Sequence, residues 1–411
     1  MNILIRNIDI KRWKRVGKRV LVYGRRKVGK TFFIKNFTKW DKFFLIKRDG
    51  SALDLNTGNT LDYSSLKSYI LENKEKRIVL DEFQRLPEDF LDWLQAYGSD
   101  LNLVLITSVL WISRRILGEG SPILGLFSEF KMDLVDERDV INFLKEKLNG
   151  KDLIETAIYL REPWIIPLFS YNIKEDIPSI LIEEKNTIER LIGETFREEE
   201  REFSKVYFSI LTAISSGKNK SGEITAFLFS RKIIKRQDPS LIQTYLKVLT
   251  NIGLIEKIPV FNKKYYYYIQ KSPILDLYFY LEGKYGFSEI EIPKEEVKRV
   301  FLEQLPKHVE AFLSNLFSKI FGMRKGKIIE KDFEIDIALS SFRRIEKIFK
   351  VKWKRKVDHS EIKEIRRKLE KVEAKDKYII VPDKKGLEAM PEGIKVLDSE
   401  DIIKLALQNY P

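Results

Sequence analysis

The sequence predicts an α/β protein, with a parallel sheet covered by helices on both faces first, a helical middle, and a small α/β domain last. Two observations carry that prediction. The first 135 residues alternate short apolar runs with helix-period stretches, as a sheet buried on both faces requires. After a helical stretch, strands and helices alternate again from about residue 300 to the end. A chain of 411 residues, at roughly 100–200 per domain, has room for two to four such units.

The early apolar runs are RVLVY (19–23), KFFLI (42–46), RIVLD (77–81), LNLVLI (101–106) and EFKMDLV (129–135). Helical periodicity falls between them at about 30–38, 63–73, 88–97 and 109–117. Asp136 reads as a helix N-cap, and helices continue to about residue 200. Residues 201–290 hold three helices, the third stopped by Gly253, then the β-rich runs LIEKIPV and KKYYYYIQK separated by Phe261 and Asn262. Three helices followed by a hairpin is the layout of a winged helix. The tail, 300–411, reads as a helix (305–322), strands (326–330, 333–339, 345–353), a charged helix (359–373), a strand (377–382) and a final helix (398–408).

Composition narrows the chemistry. With no cysteine there is no disulfide, thiolate nucleophile or zinc ribbon, and with only His308 and His359 a histidine-ligated metal is nearly excluded. No run approaches the ~18 apolar residues of a membrane span, and the start lacks the apolar core of a signal peptide, so a cytoplasmic protein is expected. The Lys/Glu/Ile-rich composition, with few Gln and 4 Met, is of the kind thermophilic proteins favour. The formal charge is +14. Residues 1–30 contribute +10 and residues 341–375 contribute +8, leaving −4 for the rest. Such a distribution fits either polyanion contact at two places or two solvated basic surfaces.

The first strand runs into Gly24-Arg25-Arg26-Lys27-Val28-Gly29-Lys30-Thr31-Phe32, which contains the pattern G-x-x-x-x-G-K-[ST]. Its glycines let backbone N–H groups wrap phosphates at the positive end of a helix. Lys30 would reach the β- and γ-phosphates and the Thr31 hydroxyl would bind Mg2+. Such a site needs a carboxylate at the end of another buried strand, and Ile78-Val79-Leu80-Asp81-Glu82 supplies it. Asp81 falls on the Mg2+ side, and Glu82 is placed to act as general base. The strand ending at Thr107-Ser108 offers Ser108 to sense the γ-phosphate or hold the water. Arg114 and Arg115 are candidates for an arginine finger, or solvated helix arginines.

The runs LVYGRRKVGKTFFIKNF and LDEFQRLP closely resemble the archaeal ATPase family, a branch of AAA+ and STAND-like P-loop proteins. The resemblance covers the whole chain: P-loop ATPase core (1–135), helical lid (136–200), winged helix (201–290), and a C-terminal restriction-nuclease-like domain (300–411). It implies ATP and Mg2+ as cofactors, with Gly24, Gly29, Lys30 and Thr31 on the nucleotide and Asp81 and Glu82 on the metal and water side. Three segments depart from the family pattern. A basic stretch, Lys11 to Arg19, replaces the usual segment before the first strand. Ser121-Pro122-Ile123-Leu124-Gly125-Leu126 lacks the arginine after the glycine, and Glu162-Pro163-Trp164-Ile165-Ile166-Pro167 keeps one proline of the lid motif.

Relatives of the tail resemble PD-(D/E)xK nucleases, which implies Glu310, Asp336 and Lys352 as the corresponding positions. Lys350 stands where that pattern has a glutamate, and an ammonium there repels a metal ion. The tail is therefore expected to be a degenerate nuclease fold, its basic residues meeting phosphates or water. In the winged helix, Gln243, Thr244, Lys247, Thr250 and Asn251 are expected to face outward, toward DNA or toward a docked protein. Tyr265 to Tyr268 would stack on bases or pack half-buried. The expected activity is a slow, Mg2+-dependent ATPase working as a nucleotide-controlled switch, with DNA as partner. An ATP-gated nuclease, a regulator without turnover, and a homo-oligomer or protein partner are the alternatives.

Overall fold

The computed structural model describes residues 3–109, 116, 118, 121, 123–198, 204–342 and 344–410. The chain divides into two compact units. Residues 6–135 and 191–202 make the first; residues 136–190 and 203–410, with the first five, make the second.

The first unit is built on a seven-stranded sheet of order β4-β3-β2-β5-β6-β1-β7. Its members are β1 (Val20–Tyr23), β2 (Lys42–Ile46), β3 (Ala52–Asp54), β4 (Thr60–Leu61), β5 (Ile78–Asp81), β6 (Leu103–Thr107) and β7 (Ser128–Lys131). Strands β2, β5, β6, β1 and β7 run parallel. Their side chains alternate between two buried faces, as the two-residue period of a strand dictates. Leu21, Leu80 and Leu105 pack on one face; Val20, Val22, Val79, Val104 and Ile106 pack on the other with Phe33 and Phe130. Helices α1 (Asn7–Trp13), α2 (Lys30–Phe37), α3 (Tyr63–Glu72) and α4 (Asp89–Tyr97) belong to this unit.

In this unit two details depart from the sequence reading, and the helix expected at about 109–117 lies mostly outside the described residues. The last strand is shorter than 129–135, because the chain leaves the sheet after Lys131. The β3–β4 hairpin has no counterpart among the apolar runs of the sequence. Its turn is held by Asp54, which accepts hydrogen bonds from Asn56 N (2.8 Å), Thr57 Oγ1 (2.9 Å) and Lys42 Nζ (2.9 Å), with Gly58 in the left-handed region.

The second unit begins with α5 (Glu137–Leu144), capped by the Asp136 side chain, and continues through α6 (Gly150–Leu160) and α7 (Ile173–Glu183). Helix α8 (Lys185–Glu198) crosses the boundary between the units. Next come α9 (Lys205–Ser215), α10 (Ser221–Ser230) and α11 (Gln243–Asn251), then the antiparallel pair β8 (Ile255–Pro259) and β9 (Tyr266–Gln270). Helices α12 (Pro273–Tyr285) and α13 (Lys294–Phe321) lead into a five-stranded sheet of order β10-β11-β12-β13-β14. These strands are β10 (Arg324–Ile329), β11 (Glu334–Ser341), β12 (Arg344–Val351), β13 (Asp376–Ile380) and β14 (Lys395–Leu397). Helices α14 (His359–Glu370) and α15 (Ser399–Gln408) complete the unit. No helix among the described residues is long and apolar enough to cross a membrane.

The segments expected as lid, winged helix and α/β tail pack together. Lys319 of α13 pairs with Asp136 (2.9 Å) and Glu137 at the start of α5. Trp353 donates its indole N–H to the buried Glu155 of α6 at 2.8 Å. The β8–β9 hairpin bridges to β10: Phe261 N donates to Lys327 O at 2.8 Å, and Lys325 pairs with Glu256 at 2.6 Å. At that crossing Gly326 leaves room for the Phe261 ring; a Cβ there would lie 2.7 Å from the ring and 2.9 Å from Pro259 O. Gly326→Ala is therefore expected to weaken the seam. Denaturant unfolding should show a loss of about 1–3 kcal/mol, the usual cost of overpacking.

Candidate nucleotide-binding site

The loop between β1 and α2 takes a backbone course that most side chains resist. Gly24 has φ +154°, and a Cβ on it would sit 2.0 Å from Met132 O. Lys27 and Gly29 have φ of 66° and 88°. Helix α2 starts at Lys30 without a side-chain cap, so its first turn is dressed as an anion site. The loop is anchored from below by Val28, which is fully buried, and by Arg6. Arg6 donates to Val28 O at 2.7 Å and to Asp133 O at 2.9 Å, while Asp9 holds its Nε at 2.6 Å. Arg6 carries no motif signature, so the sequence reading missed it and counted it only as charge.

Lys30 is buried and its Nζ donates to Gly24 O (2.8 Å) and Arg25 O (3.1 Å). Its ammonium thus lies inside the curl of the loop, where a phosphate would replace the two carbonyls as partner. Arg25 is buried, Arg26 pairs with Glu194 at 3.0 Å, and Lys27 and Phe32 are exposed.

Strand pairing supplies the rest. Asp81 lies opposite Ile106 in the β5–β6 register and Tyr23 opposite Thr107 in the β1–β6 register, so the three strand ends share one edge. Open α/β sheets bind ligands at that edge. Thr31 Oγ1 donates to Asp81 Oδ2 at 2.7 Å, joining the two residues assigned to Mg2+. Burial pushes the Asp81 carboxyl above its ordinary range, against the hydrogen bond from Thr31. A cation beside it would relieve that burial cost, so the pair suits a divalent ion that keeps water and phosphate oxygens as its other ligands.

Glu82 follows with φ 58°. Its Oε2 accepts from Gln84 Nε2 at 2.7 Å and lies 3.3 Å from Arg85, so the carboxylate is already held by two neighbours. Thr107 Oγ1 is engaged by Val109 N at 3.0 Å. Ser108 is buried, and among the described residues its Oγ has no hydrogen-bond partner. A buried hydroxyl at this edge is available to a ligand or a water. Arg114 and Arg115 lie outside the described residues.

The positions of the nuclease pattern converge only in part. Glu310 on α13 and Asp336 on β11 line one cavity, but Lys352 does not; it is 3.9 Å from Glu361. Lys350 Nζ is 2.5 Å from Asp336 Oδ1, and Lys327 pairs with Glu310. Both acids are thus engaged by ammonium groups. Among the described residues no group of three or more His, Asp or Glu is placed to hold a metal ion.

Several basic residues, most of them in the tail, are held in ion pairs. Arg12 pairs with Asp9, Lys354 with Glu361, Lys356 with Glu388, Arg366 with Glu370, and Lys371 with Asp332. On α11 Gln243, Thr244 and Lys247 are exposed, whereas Thr250 and Asn251 are half-buried, since the helix turns its last residues toward the unit. Tyr268 is buried, and Tyr267 donates to Asn219 Oδ1 at 2.9 Å, while Tyr266 is exposed.

Ionising Asp81 costs stability. As pH rises from the ordinary aspartate pKa to the raised folded one, the unfolded chain releases a proton that the folded chain still holds, so stability falls across that window and stays lower above it. Asp81→Asn keeps an acceptor for Thr31 and removes the charge. Without nucleotide it is expected to show a higher urea midpoint than wild type at neutral pH, the gain vanishing toward about pH 4. The same variant should lose its Mg2+-dependent nucleotide response.

Comparison with known proteins gives one domain assignment. Residues 17–119 match the AAA domain family. No curated protein matches the chain. Among solved structures, the chain is similar to the Walker-type ATPase PABY2304 of Pyrococcus abyssi, at 18% identity over 67% of this chain and 96% of that one, TM-score 0.43. It is also similar to the Aeropyrum pernix ORC2 protein in its ADPNP–ADP complexes (12%, 75% and 92%, TM-score 0.37). A third is the A. pernix ORC1 protein in complex with DNA (14%, 71% and 96%, TM-score 0.31). The match over 17–119 spans the P-loop pattern, Asp81, Glu82 and Ser108, so the similarity to an AAA domain covers the segment that carries the candidate site.

Proposed function

We propose that the protein binds ATP with Mg2+ and hydrolyses it slowly, as a nucleotide-controlled switch. The observation that carries this reading is the 2.7 Å hydrogen bond between Thr31 and Asp81, which joins the P-loop to the end of β5. Bound Mg2+ would neutralise charge on the phosphates, and Thr31 and Asp81 are the residues to hold it. Lys30 neutralises phosphate charge after leaving the Gly24 and Arg25 carbonyls. Glu82 accepts a proton from the attacking water once Gln84 and Arg85 release it, and the Ser108 hydroxyl orients that water.

Two features support slow turnover. Glu82 starts in an engaged state, so reorganisation precedes chemistry. After Gly125 stands Leu126, whose side chain packs on the core beside Gly98, so no guanidinium is offered from that position. DNA is the partner proposed for the second unit, met by the exposed Gln243, Thr244 and Lys247 of α11, read as the recognition helix of a winged helix. Arg324 and Arg344, exposed at the starts of β10 and β12 and without an ion-pair partner among the described residues, would add phosphate contacts. The tail is read as a nuclease fold without nuclease activity, because Lys350 occupies the acid site.

The deciding measurement is phosphate release from ATP with Mg2+, with and without duplex DNA. Lys30→Ala is expected to abolish nucleotide binding. Glu82→Gln should bind ATP normally and turn over about 100-fold more slowly or worse. DNA should stimulate wild type but not Glu82→Gln. Equal phosphate release by wild type and Lys30→Ala would overturn the ATPase reading.

A further inference from the structure

Residues 205–271, three helices and the β8–β9 hairpin, carry twelve Lys and Arg against three Asp and Glu, a net of +9. Acidic segments on either side cancel that excess in the overall charge of the chain. All three acids are engaged: Glu223 pairs with Lys220 at 3.2 Å, Glu256 pairs with Lys325 at 2.6 Å, and Asp238 accepts from Ser240 N at 2.9 Å. Four of the cations, Arg231, Lys232, Lys235 and Arg236, fall within the six residues that follow α10. All four are exposed, and none has an ion-pair partner among the described residues. Even with Asp238 counted, this loop keeps +3.

Hydrogen bonds fix the course of the loop. Helix α10 ends in a left-handed turn at Lys232, φ 57°, where Lys232 N donates to Phe229 O at 2.9 Å and Ile233 N to Leu228 O at 3.0 Å. Glycine is the usual residue at such a position, because a Cβ is strained there. The chain carries a lysine instead. Ile233 and Ile234 are half-buried, so the loop turns its apolar side chains inward and its two pairs of cations, 231–232 and 235–236, outward. The Arg231 guanidinium lies 4.1 Å from the centre of the Phe227 ring, which holds it in place without neutralising its charge.

We propose that loop 231–236 is a phosphate clamp for double-stranded DNA, gripping the backbone beside a groove that α11 enters. The inference rests on DNA as the partner of the second unit, and it places most of the affinity in this loop and not in the basic tail. Charge complementarity selects a polyanion. A duplex is favoured over a single strand, because no aromatic side chain lies between residues 231 and 242 for unpaired bases to stack on. Helix α11 follows directly, with Gln243, Thr244 and Lys247 exposed, and the major groove is wide enough for a helix. An anionic membrane surface is disfavoured, since interfacial segments turn their apolar side chains outward and Ile233 and Ile234 do the opposite. The loop cations thus position the duplex while the uncharged side chains of α11 meet base edges.

Fluorescence anisotropy of the full chain with a labelled duplex, without nucleotide and across a series of NaCl concentrations, tests it. Each phosphate contact contributes about 0.9 to the slope of log K against log salt. The quadruple variant Arg231→Gln, Lys232→Gln, Lys235→Gln, Arg236→Gln should therefore flatten the slope by about 3–4, and Arg324→Gln with Arg344→Gln by no more than about 2. Lys232→Gly removes one cation and relieves the left-handed turn. It should hold or raise the urea midpoint while flattening the slope by about 1, a combination that misfolding does not produce. Duplex binding by wild type with an unchanged slope in the quadruple variant overturns the clamp and leaves DNA as the partner; no duplex binding by wild type overturns both. Tighter binding of a single strand of the same length, or of phosphatidylserine vesicles, overturns the assignment to duplex.

Discussion

Parallel pairing of β1 with β6, and of β6 with β5, brings three strand ends to one edge of the sheet, and the candidate nucleotide site depends on that register more than on any single residue. Shifting β5 by one residue would exchange Asp81 with a neighbour facing the opposite side, because side chains alternate along a strand. The hydrogen bond from Thr31 to Asp81 would then be lost. The register is itself set by apolar burial. Leu21, Leu80 and Leu105 lie on one face, and Val20, Val79 and Val104 on the other, and a slip of any strand by one residue would exchange the two sets.

Around that edge the structure holds its polar groups in pre-engaged states. Lys30 rests on loop carbonyls, Asp81 on Thr31, and Glu82 on Gln84 and Arg85. On the proposed reading each partner is one that nucleotide, metal or water would replace, so ligand binding would exchange hydrogen bonds and not have to create them from bare groups. Ser108 is the exception, with a hydroxyl that is buried and unmatched among the described residues. The loop keeps its shape through Gly24 pressed on Met132 O and through the buried Arg6, so the ligand meets a formed cradle.

Charge in the second unit follows a similar logic. The tail's lysines and arginines find carboxylates on neighbouring turns and strands, and surface pairs of this kind contribute little energy while reducing the field available to a polyanion. Inside, Lys327 and Lys350 take the place that a metal ion would need among Glu310 and Asp336. The result is a polar interior with fixed ammonium groups and one unsatisfied amide oxygen at Gln270.

The P-loop, the acidic pair at 81–82 and most strands and helices of the first unit were legible in the chain, because motif spacing and apolar period are local properties. So were the three helices and the hairpin at 205–270, and the turn at Phe261-Asn262, where Asn262 takes φ 63°. Other features needed the fold. The role of Arg6 depends on carbonyls 22 and 127 residues away, and the β3–β4 hairpin is a short excursion with a weak apolar signal. The pairing of the basic tail, and the Lys350–Asp336 contact between adjacent strands, could not be counted from charge totals. Local sequence sets what a segment becomes and which groups it carries. Only tertiary packing decides which groups meet, since burial and distance, not residue type, determine whether a charge faces a phosphate, a carboxylate or water.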